Sequence, residues 1–182
     1  MNSDWAMWHA ACQGHEPSAM QLVRHLTPQA MGLARQLLLR QEDAEDVVQE
    51  SFLRLWGAQP SDSRGAALAT YFNTIVINRC KTWLVRRREL STDPVQLAGW
   101  IEAETPMDGA GDPACNALDT PRLQAAMQAL PPRQRMALAM WAYADADVVQ
   151  IARSLELDTN AAHQLLHRAK TALRRSLQEN PS

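Results

Sequence analysis

Residues 43–56, DAEDVVQESFLRLW, have the pattern of an amphipathic helix. Acidic residues open the run, and they are favourable there because the N-terminus of a helix carries a partial positive charge. Apolar side chains recur at helical spacing and predict one buried stripe, made of Val48, Phe52, Leu55 and Trp56. Such a helix must bury its stripe against other elements of a folded domain.

A second face of the same helix mixes charge with one apolar side chain. We call this face the docking stripe, and it consists of Asp46, Gln49, Glu50 and Leu53. A solvated helix face does not require a leucine. The docking stripe is therefore either a surface stripe with an isolated apolar residue or a docking surface for a basic partner. Metal binding by the acidic residues 43, 45, 46 and 50 is disfavoured, because acids this close along one helix diverge around it.

The composition of the whole chain favours helices as well. Its 182 residues include 29 Ala and 22 Leu, but only 21 Val, Ile and Thr together and 7 Gly. Ala and Leu are strong helix formers, whereas β-branched residues favour strands. With 46% hydrophobic residues the chain can bury a core. We therefore expect an all-α protein.

Membrane spans and secretory signals have no counterpart in the sequence. Arg, Gln or Asp interrupts each apolar run, and the start MNSDWAMWHA lacks a basic segment followed by an apolar one. We expect a cytoplasmic protein without membrane insertion. Cys12, Cys80 and Cys115 are widely spaced without a CxxC pair, which predicts reduced, mostly structural thiols rather than a disulfide framework or a zinc site.

The charge is unevenly distributed along the chain. The formal net charge is -2, yet residues 91–120 hold six acidic and no basic side chains, together with three Pro and three Gly. This composition predicts a flexible acidic linker. The linker divides the chain into two weakly basic helical modules, residues 1–90 and 121–182.

Another helix of the first module is predicted over residues 66–88. Its polar and basic side carries Tyr71, Thr74, Asn78, Lys81 and Arg86. Cations bind phosphate, an amide pairs with a base edge and a tyrosine stacks on an exposed base, so this face suits nucleic acid. A solvated face whose cations interact with the helix C-terminus is the alternative, and periodicity does not decide between the two.

The second module has the pattern of a helix-turn-helix. A short helix over residues 148–155 is followed by a break and by a longer helix over 159–177, with Asp158 as its N-cap. Apolar residues of both helices predict a small core. The exposed positions place base-reading residues first and phosphate-binding residues later. In order they are Asn160, His163, Gln164, His167, Arg168 and Lys170.

The two modules in this order resemble the extracytoplasmic-function (ECF) group of bacterial sigma-70 factors. Residues 43–56 look like the core-polymerase-binding helix of that family, residues 75–88 like its segment for promoter melting and minus-ten recognition, and residues 130–177 like its minus-thirty-five-reading domain. The resemblance implies two small all-helical domains, a sigma-2-like bundle at 1–90 and a sigma-4-like helix-turn-helix domain at 121–182, joined by the linker.

The resemblance also implies a function and partners. A sigma factor binds core RNA polymerase, directs it to promoter DNA and assists opening of the duplex. The docking stripe would contact the clamp helices of the largest catalytic subunit, the linker would occupy the RNA path, and an anti-sigma factor would cover both binding faces. The implied minus-ten set is Ser61, Asp62, Ser63, Arg64, Tyr71, Thr74, Asn78, Lys81 and Arg86, and the minus-thirty-five set is the six residues of the second module named above.

Three departures from the family pattern affect these expectations. The loop over residues 59–67, which captures a flipped base in this group, has no aromatic residue, so its base preference is open. Glu156 stands at the usual glycine of the helix-turn-helix, where a left-handed backbone would cost about 1 kcal/mol. His163 and Leu165 replace positions that are commonly Lys and Arg, which should weaken phosphate contacts.

Two other functions compete with this one. A stand-alone helix-turn-helix regulator explains the second module but leaves the docking stripe unused. An enzyme is disfavoured because the sequence shows no Ser/His/Asp set, no phosphate-binding glycine loop and no metal cluster. His163 and His167 have the i, i+4 spacing of a zinc helix, but no third ligand accompanies them. We expect no catalytic residues, no metal and no cofactor.

Overall fold

The computed structural model describes residues 3–62, 65, 67–87 and 120–179. The described residues form eight α-helices and no strand: α1 (Ser3–Cys12), α2 (Glu16–Leu37), α3 (Gln41–Ala58), α4 (Leu68–Arg86), α5 (Thr120–Gln128), α6 (Pro132–Tyr143), α7 (Val148–Leu155) and α8 (Thr159–Glu179). The all-α prediction is confirmed. Of the predicted linker, residues 91–119 lie outside the described residues, as does Cys115. The division into domains therefore stays a prediction.

Helices α1 to α4 pack around one apolar core. α2 contacts α1, α3 and α4, and α3 also packs along α4. The predicted stripe of α3 faces this core, with Val48 and Leu55 buried and Phe52 and Trp56 half-buried against it. α4 contributes Phe72, whose ring centroid lies 4.4 Å from that of Phe52. The helical periodicity therefore identified the buried side of α3.

Helices α6 to α8 form the helix-turn-helix and its support. α7 packs on α8, and α6 packs on both of them. Ile151 and Ala169 are among the residues that fill the small core. Asp147 starts α7 with a capping box, since its carboxylate accepts from the Gln150 backbone N–H at 2.7 Å while the Gln150 side chain accepts from the Asp147 N–H at 2.9 Å. Asp158 caps α8 as predicted, accepting from the Ala161 N–H at 2.9 Å.

The two groups of helices are also in contact with each other. α2 packs against α5 and α6, and α4 packs against α6. The buried Asn73 amide donates to the Tyr143 carbonyl oxygen at 3.0 Å, and the Tyr143 hydroxyl lies 3.2 Å from the Gln36 side-chain oxygen. The Gln128 amide donates to the Arg35 carbonyl at 3.0 Å. The sequence predicts both helical modules but not this contact between them.

Two helices, α1 and α5, lie outside the elements predicted from sequence. α1 packs on α2 and α4 and buries Trp5 and Trp8, which are three residues apart on one face. None of the helices that the structure describes is long and apolar enough to cross a membrane.

Candidate functional site

The docking stripe lies along the outer side of α3. Asp46, Gln49 and Leu53 are exposed, and Leu53 has 70% of its surface accessible. An isolated leucine this open gains nothing from the fold of the chain itself, whereas a partner could bury it at about 25 cal/mol per Å² of apolar surface. The geometry thus presents two polar side chains and an apolar anchor on one face.

Glu50, the fourth residue of the stripe, is held by arginines of this chain. Its two carboxylate oxygens lie 2.7 and 2.8 Å from Nη2 of Arg79 on α4, and Arg54 Nε lies 3.5 Å from the nearer one. The Arg79 side chain is only 14% exposed, whereas that of Glu50 is 44% exposed. Arg79 therefore points into the contact between α3 and α4, and Glu50 is an internal ion-pair partner as well as a surface residue.

A groove of about 840 Å³ runs between α3 and α4. Glu50 and Leu53 of the docking stripe line one side, and Tyr71 and Asn78 of the minus-ten set line the other. Two sets of residues that the sequence assigned to different tasks are therefore neighbours across a single groove.

The remaining minus-ten residues are spread over α4 and the chain before it. Ser61, Asp62, Thr74, Asn78 and Arg86 are exposed. Ser63 and Arg64 lie outside the described residues. The structure thus places Thr74, Asn78 and Arg86 of α4 in accessible positions.

Lys81 differs from its neighbours on α4. It is half-buried, and its amine donates to the backbone carbonyl of Ser154 in α7. One of its three N–H donors is therefore used within the protein, between the first and second groups of helices.

The minus-thirty-five set lies on α8. Asn160, His163, Gln164 and His167 are exposed in that order along the first half of the helix. Arg168 and Lys170 are half-buried. Lys170 Nζ lies 3.3 Å from the centre of the Trp141 ring, a cation–π contact that holds this cation against α6.

The structure corrects the expectation about Leu165. This residue is only 2% exposed and belongs to the core between α8 and its neighbours. It cannot represent a lost phosphate contact, because a cation at this position would have no access to DNA. His163, two residues earlier, is exposed, so the argument about a weakened phosphate contact applies to that position alone.

Glu156, which stands at the usual glycine position of the helix-turn-helix, adopts the left-handed backbone conformation. Its φ and ψ are 57° and 46°, and it ends α7. The next residue, Leu157, donates its N–H to the Ala152 carbonyl at 2.9 Å and so closes the turn. The helix-turn-helix therefore forms with a non-glycine residue at its tightest point.

The titratable groups do not assemble into a metal centre in the part of the chain that the structure describes. No group of three or more His, Cys, Asp or Glu side chains there could hold a metal ion. Cys80 is buried, and this burial raises its pKa to about 12. Cys12 is exposed, so the expectation of a structural thiol is wrong for this residue.

Comparison with known protein families assigns both groups of helices to regions of one family. Residues 22–89 match the family model for sigma-70 region 2, and residues 121–173 match the model for sigma-70 region 4. The chain belongs to the sigma-70 family. Region 2 of this sigma-70 protein spans the docking stripe and α4, and region 4 spans the helix-turn-helix. Helix α1 lies outside both matches.

Among curated proteins, the sigma-70 chain is similar to the ECF RNA polymerase sigma factor SigG of Mycobacterium tuberculosis. The two are 32% identical over 151 residues, which cover 72% of this chain and 41% of SigG. The chain thus spans less than half the length of that relative.

Two solved structures share the fold of this sigma-70 protein. One is the sigma factor RpoE in complex with the anti-sigma factor NepR from Bartonella quintana, with a TM-score of 0.55 and 21% identity over 89% of this chain and 98% of that chain. The other is CnrH in complex with the cytosolic domain of CnrY, with a TM-score of 0.56 and 18% identity over 99% of this chain and 100% of that chain. At these identities the likeness concerns the fold alone.

Arg79 and Trp8 are residues of interest that sequence reasoning missed. Arg79 is not in the predicted minus-ten set, and its guanidinium turns toward Glu50 of α3. Trp8 lies in a helix that was not predicted, although the spacing of Trp5 and Trp8 was a readable sign of an apolar helix face.

Proposed function

We propose that this chain is an ECF-type sigma factor that binds core RNA polymerase, directs it to specific promoters and assists duplex opening. The observation that carries the proposal is the succession of sigma-70 region 2 and region 4 along one chain. A stand-alone helix-turn-helix regulator would need the second of these regions only.

The docking stripe is the proposed contact with the polymerase. Asp46 and Gln49 offer exposed polar groups, and Leu53 offers an apolar anchor beside them. Charge complementarity steers association and an apolar anchor supplies affinity, so the stripe suits a basic helical surface. The clamp helices of the largest catalytic subunit are the proposed partner.

Promoter DNA is the second proposed partner. The minus-ten set would hold bases of the nontemplate strand, with Asn78 and Tyr71 lining the groove where a base edge and a base face can be met. The exposed first half of α8 would read the minus-thirty-five element in the major groove. With a net charge of -2 the free chain should bind DNA weakly, so tight recognition requires the polymerase.

The proposal extends to organisation and regulation. Residues 1–90 would form the sigma-2-like domain, 91–120 the acidic linker in the RNA path and 121–182 the sigma-4-like domain. An anti-sigma factor is a proposed partner, since the RpoE structure of the same fold is a complex with one. The protein would act in the cytoplasm by binding alone, with no catalytic residue and no cofactor.

The decisive experiment is run-off transcription on genomic fragments with purified core polymerase. We expect transcripts that require the wild-type protein. Asp46→Arg should abolish them by reversing a charge in the docking stripe. Asn78→Ala should weaken them or shift the preferred start sites, because it removes a group proposed to read a base.

Glu45→Arg is the matched control for Asp46→Arg. Glu45 is exposed on the same helix, one residue away and outside the docking stripe. Equal loss with both variants would mean that net charge, rather than the stripe, governs binding. Absence of any binding between wild-type protein and core would overturn the proposal, and tight salt-dependent binding of the free protein to duplex DNA would favour the stand-alone regulator.

A further inference from the structure

Helix α1 is hydrogen-bonded to the chain segment that follows α3. The indole Nε1 of Trp8 donates to the backbone carbonyl of Pro60 at 3.0 Å, across 52 residues of chain. Trp8 is only 1% exposed. A buried indole N–H left without a partner is unfavourable, so the contact constrains both of its members.

The Trp8 ring is itself held rigidly in place. It packs edge-on against Trp56 of α3, with 5.4 Å between ring centroids. Trp56 lies 6.0 Å from Phe52, and Phe52 lies 4.4 Å from Phe72 of α4. This aromatic cluster connects α1 to both α3 and α4, and it fixes the direction in which the indole N–H points.

Pro60 stands where the chain leaves α3. Gln59 ends that helix in a left-handed conformation, with φ 42° and ψ 58°. Pro60 has no backbone N–H, so its carbonyl is the only backbone group through which a hydrogen bond can hold it. Ser61 and Asp62, both exposed and both in the minus-ten set, follow directly.

We infer that Trp8 is a positioning residue for minus-ten recognition. By holding the Pro60 carbonyl, it sets the path of the chain that presents Ser61 and Asp62 to a base of the nontemplate strand. The inference rests on the proposed function, because it assigns Trp8 a part in the base selectivity of that same surface. Trp8 touches no DNA itself and acts through Pro60.

The test compares Trp8→Phe with Trp5→Phe in the full chain bound to core polymerase. The first variant removes the indole N–H and keeps an aromatic ring, whereas the second makes the same change on the same helix at another buried tryptophan. The probes are fork-junction DNAs of a promoter identified by run-off transcription, differing in a single nontemplate base of the minus-ten element. The measured quantity is the ratio of affinities for the preferred and the least preferred base.

We expect Trp8→Phe to reduce this ratio by about 3- to 10-fold, the effect of one lost hydrogen bond, with affinity for core unchanged. Trp5→Phe should leave the ratio as it is in wild type. An unchanged ratio in Trp8→Phe, or an equal reduction in Trp5→Phe, would overturn the inference. If wild type supports no transcription, the proposed function has failed and the inference falls with it.

A second variant keeps the test decisive if Trp8→Phe unfolds, which its melting temperature reports. Pro60→Gly removes the proline ring but keeps the backbone carbonyl that accepts from Trp8, and it leaves the aromatic cluster intact. It should keep the wild-type ratio while binding core normally. A reduced ratio in Pro60→Gly would show that the proline ring, and not the hydrogen bond from Trp8, sets the path of the chain, and would overturn the inference.

Discussion

At the scale of single residues, Glu156 is in a conformation that its own side chain disfavours. Its φ of 57° lies in the left-handed region, where a Cβ approaches the following carbonyl and glycine is unstrained. The turn between α7 and α8 therefore forms although its backbone conformation is unfavourable for glutamate, because the common core of the two helices holds them together.

Replacing Glu156 by glycine should stabilise the protein. We expect Glu156→Gly to raise the free energy of unfolding by about 0.5 kcal/mol, because about 1 kcal/mol of relieved strain exceeds about 0.5 kcal/mol of added freedom in the unfolded chain. Urea denaturation measures the difference. Glu156→Ala is the control because it removes the side chain and keeps the Cβ, so a glycine variant no more stable than the alanine variant would contradict the argument.

Cys80 gives the protein a predictable response to alkaline pH. Burial raises its pKa to about 12 from 9.0, so the folded state keeps the thiol protonated where the unfolded state has lost the proton. The contribution of the Cys80 thiol to the free energy of unfolding is constant below pH 9 and declines as the pH rises from 9 toward 12. The Cys80→Ala variant has no thiol and therefore lacks this pH-dependent contribution to stability.

The measurement is urea denaturation of wild type and Cys80→Ala at pH 8 and pH 10. The stability advantage of wild type should shrink by about 1–2 kcal/mol between these values, because the unfolded thiol ionises over this range while the buried thiol stays protonated. A difference between the two proteins that stays constant with pH would show that the thiol titrates alike in both states.

At the scale of elements, the contact between α3 and α4 includes an ion pair of unequal exposure. Arg79 is mostly buried and holds Glu50, while Arg54 reaches the same carboxylate from an exposed position one helical turn away. Solvent screens an exposed pair strongly and a mostly buried pair less. The two arginines should therefore contribute differently to stability although they share one acid.

Double-mutant cycles separate the two arginines. We expect a coupling of about 1 kcal/mol between Glu50→Gln and Arg79→Met, and about 0.3–0.5 kcal/mol between Glu50→Gln and Arg54→Met, the usual value for an exposed pair at i, i+4. Unfolding in urea at low and high salt provides the values. Equal couplings for the two cycles would show that Arg79 is not protected by its burial.

At the scale of the whole molecule, hydrogen bonds join the α1–α4 bundle to the helices that follow residue 120. Asn73 is buried on α4, and its amide satisfies the Tyr143 carbonyl at the end of α6. A carbonyl deprived of its partner in such a contact loses a hydrogen bond without regaining full hydration. The two groups of helices should therefore depend on each other for stability.

Removing this link should destabilise the complete chain. We expect Asn73→Ala to lower the free energy of unfolding by about 1–2 kcal/mol. Asn78→Ala, an exposed asparagine on the same helix, is the control and should change stability by about 0.5 kcal/mol or less. Thermal and urea unfolding measure both variants, and similar effects of the two changes would mean that the contact with Tyr143 contributes nothing.

The sequence alone determined the helices of the main core and much of the helix-turn-helix. Their apolar stripes repeat at a helical period, so α3, α4, α7 and α8 could be predicted with their buried sides. The N-cap Asp158 and the exposed docking stripe were likewise readable, because capping and periodicity involve residues within one or two turns of each other.

Only the tertiary structure decided which side chains meet across elements. Trp8 donates a hydrogen bond to Pro60 across 52 residues of chain, Arg79 to Glu50 across 29, and Lys81 to Ser154 across 73. Such contacts depend on the positions of whole helices relative to one another, and no local period in the sequence encodes those positions.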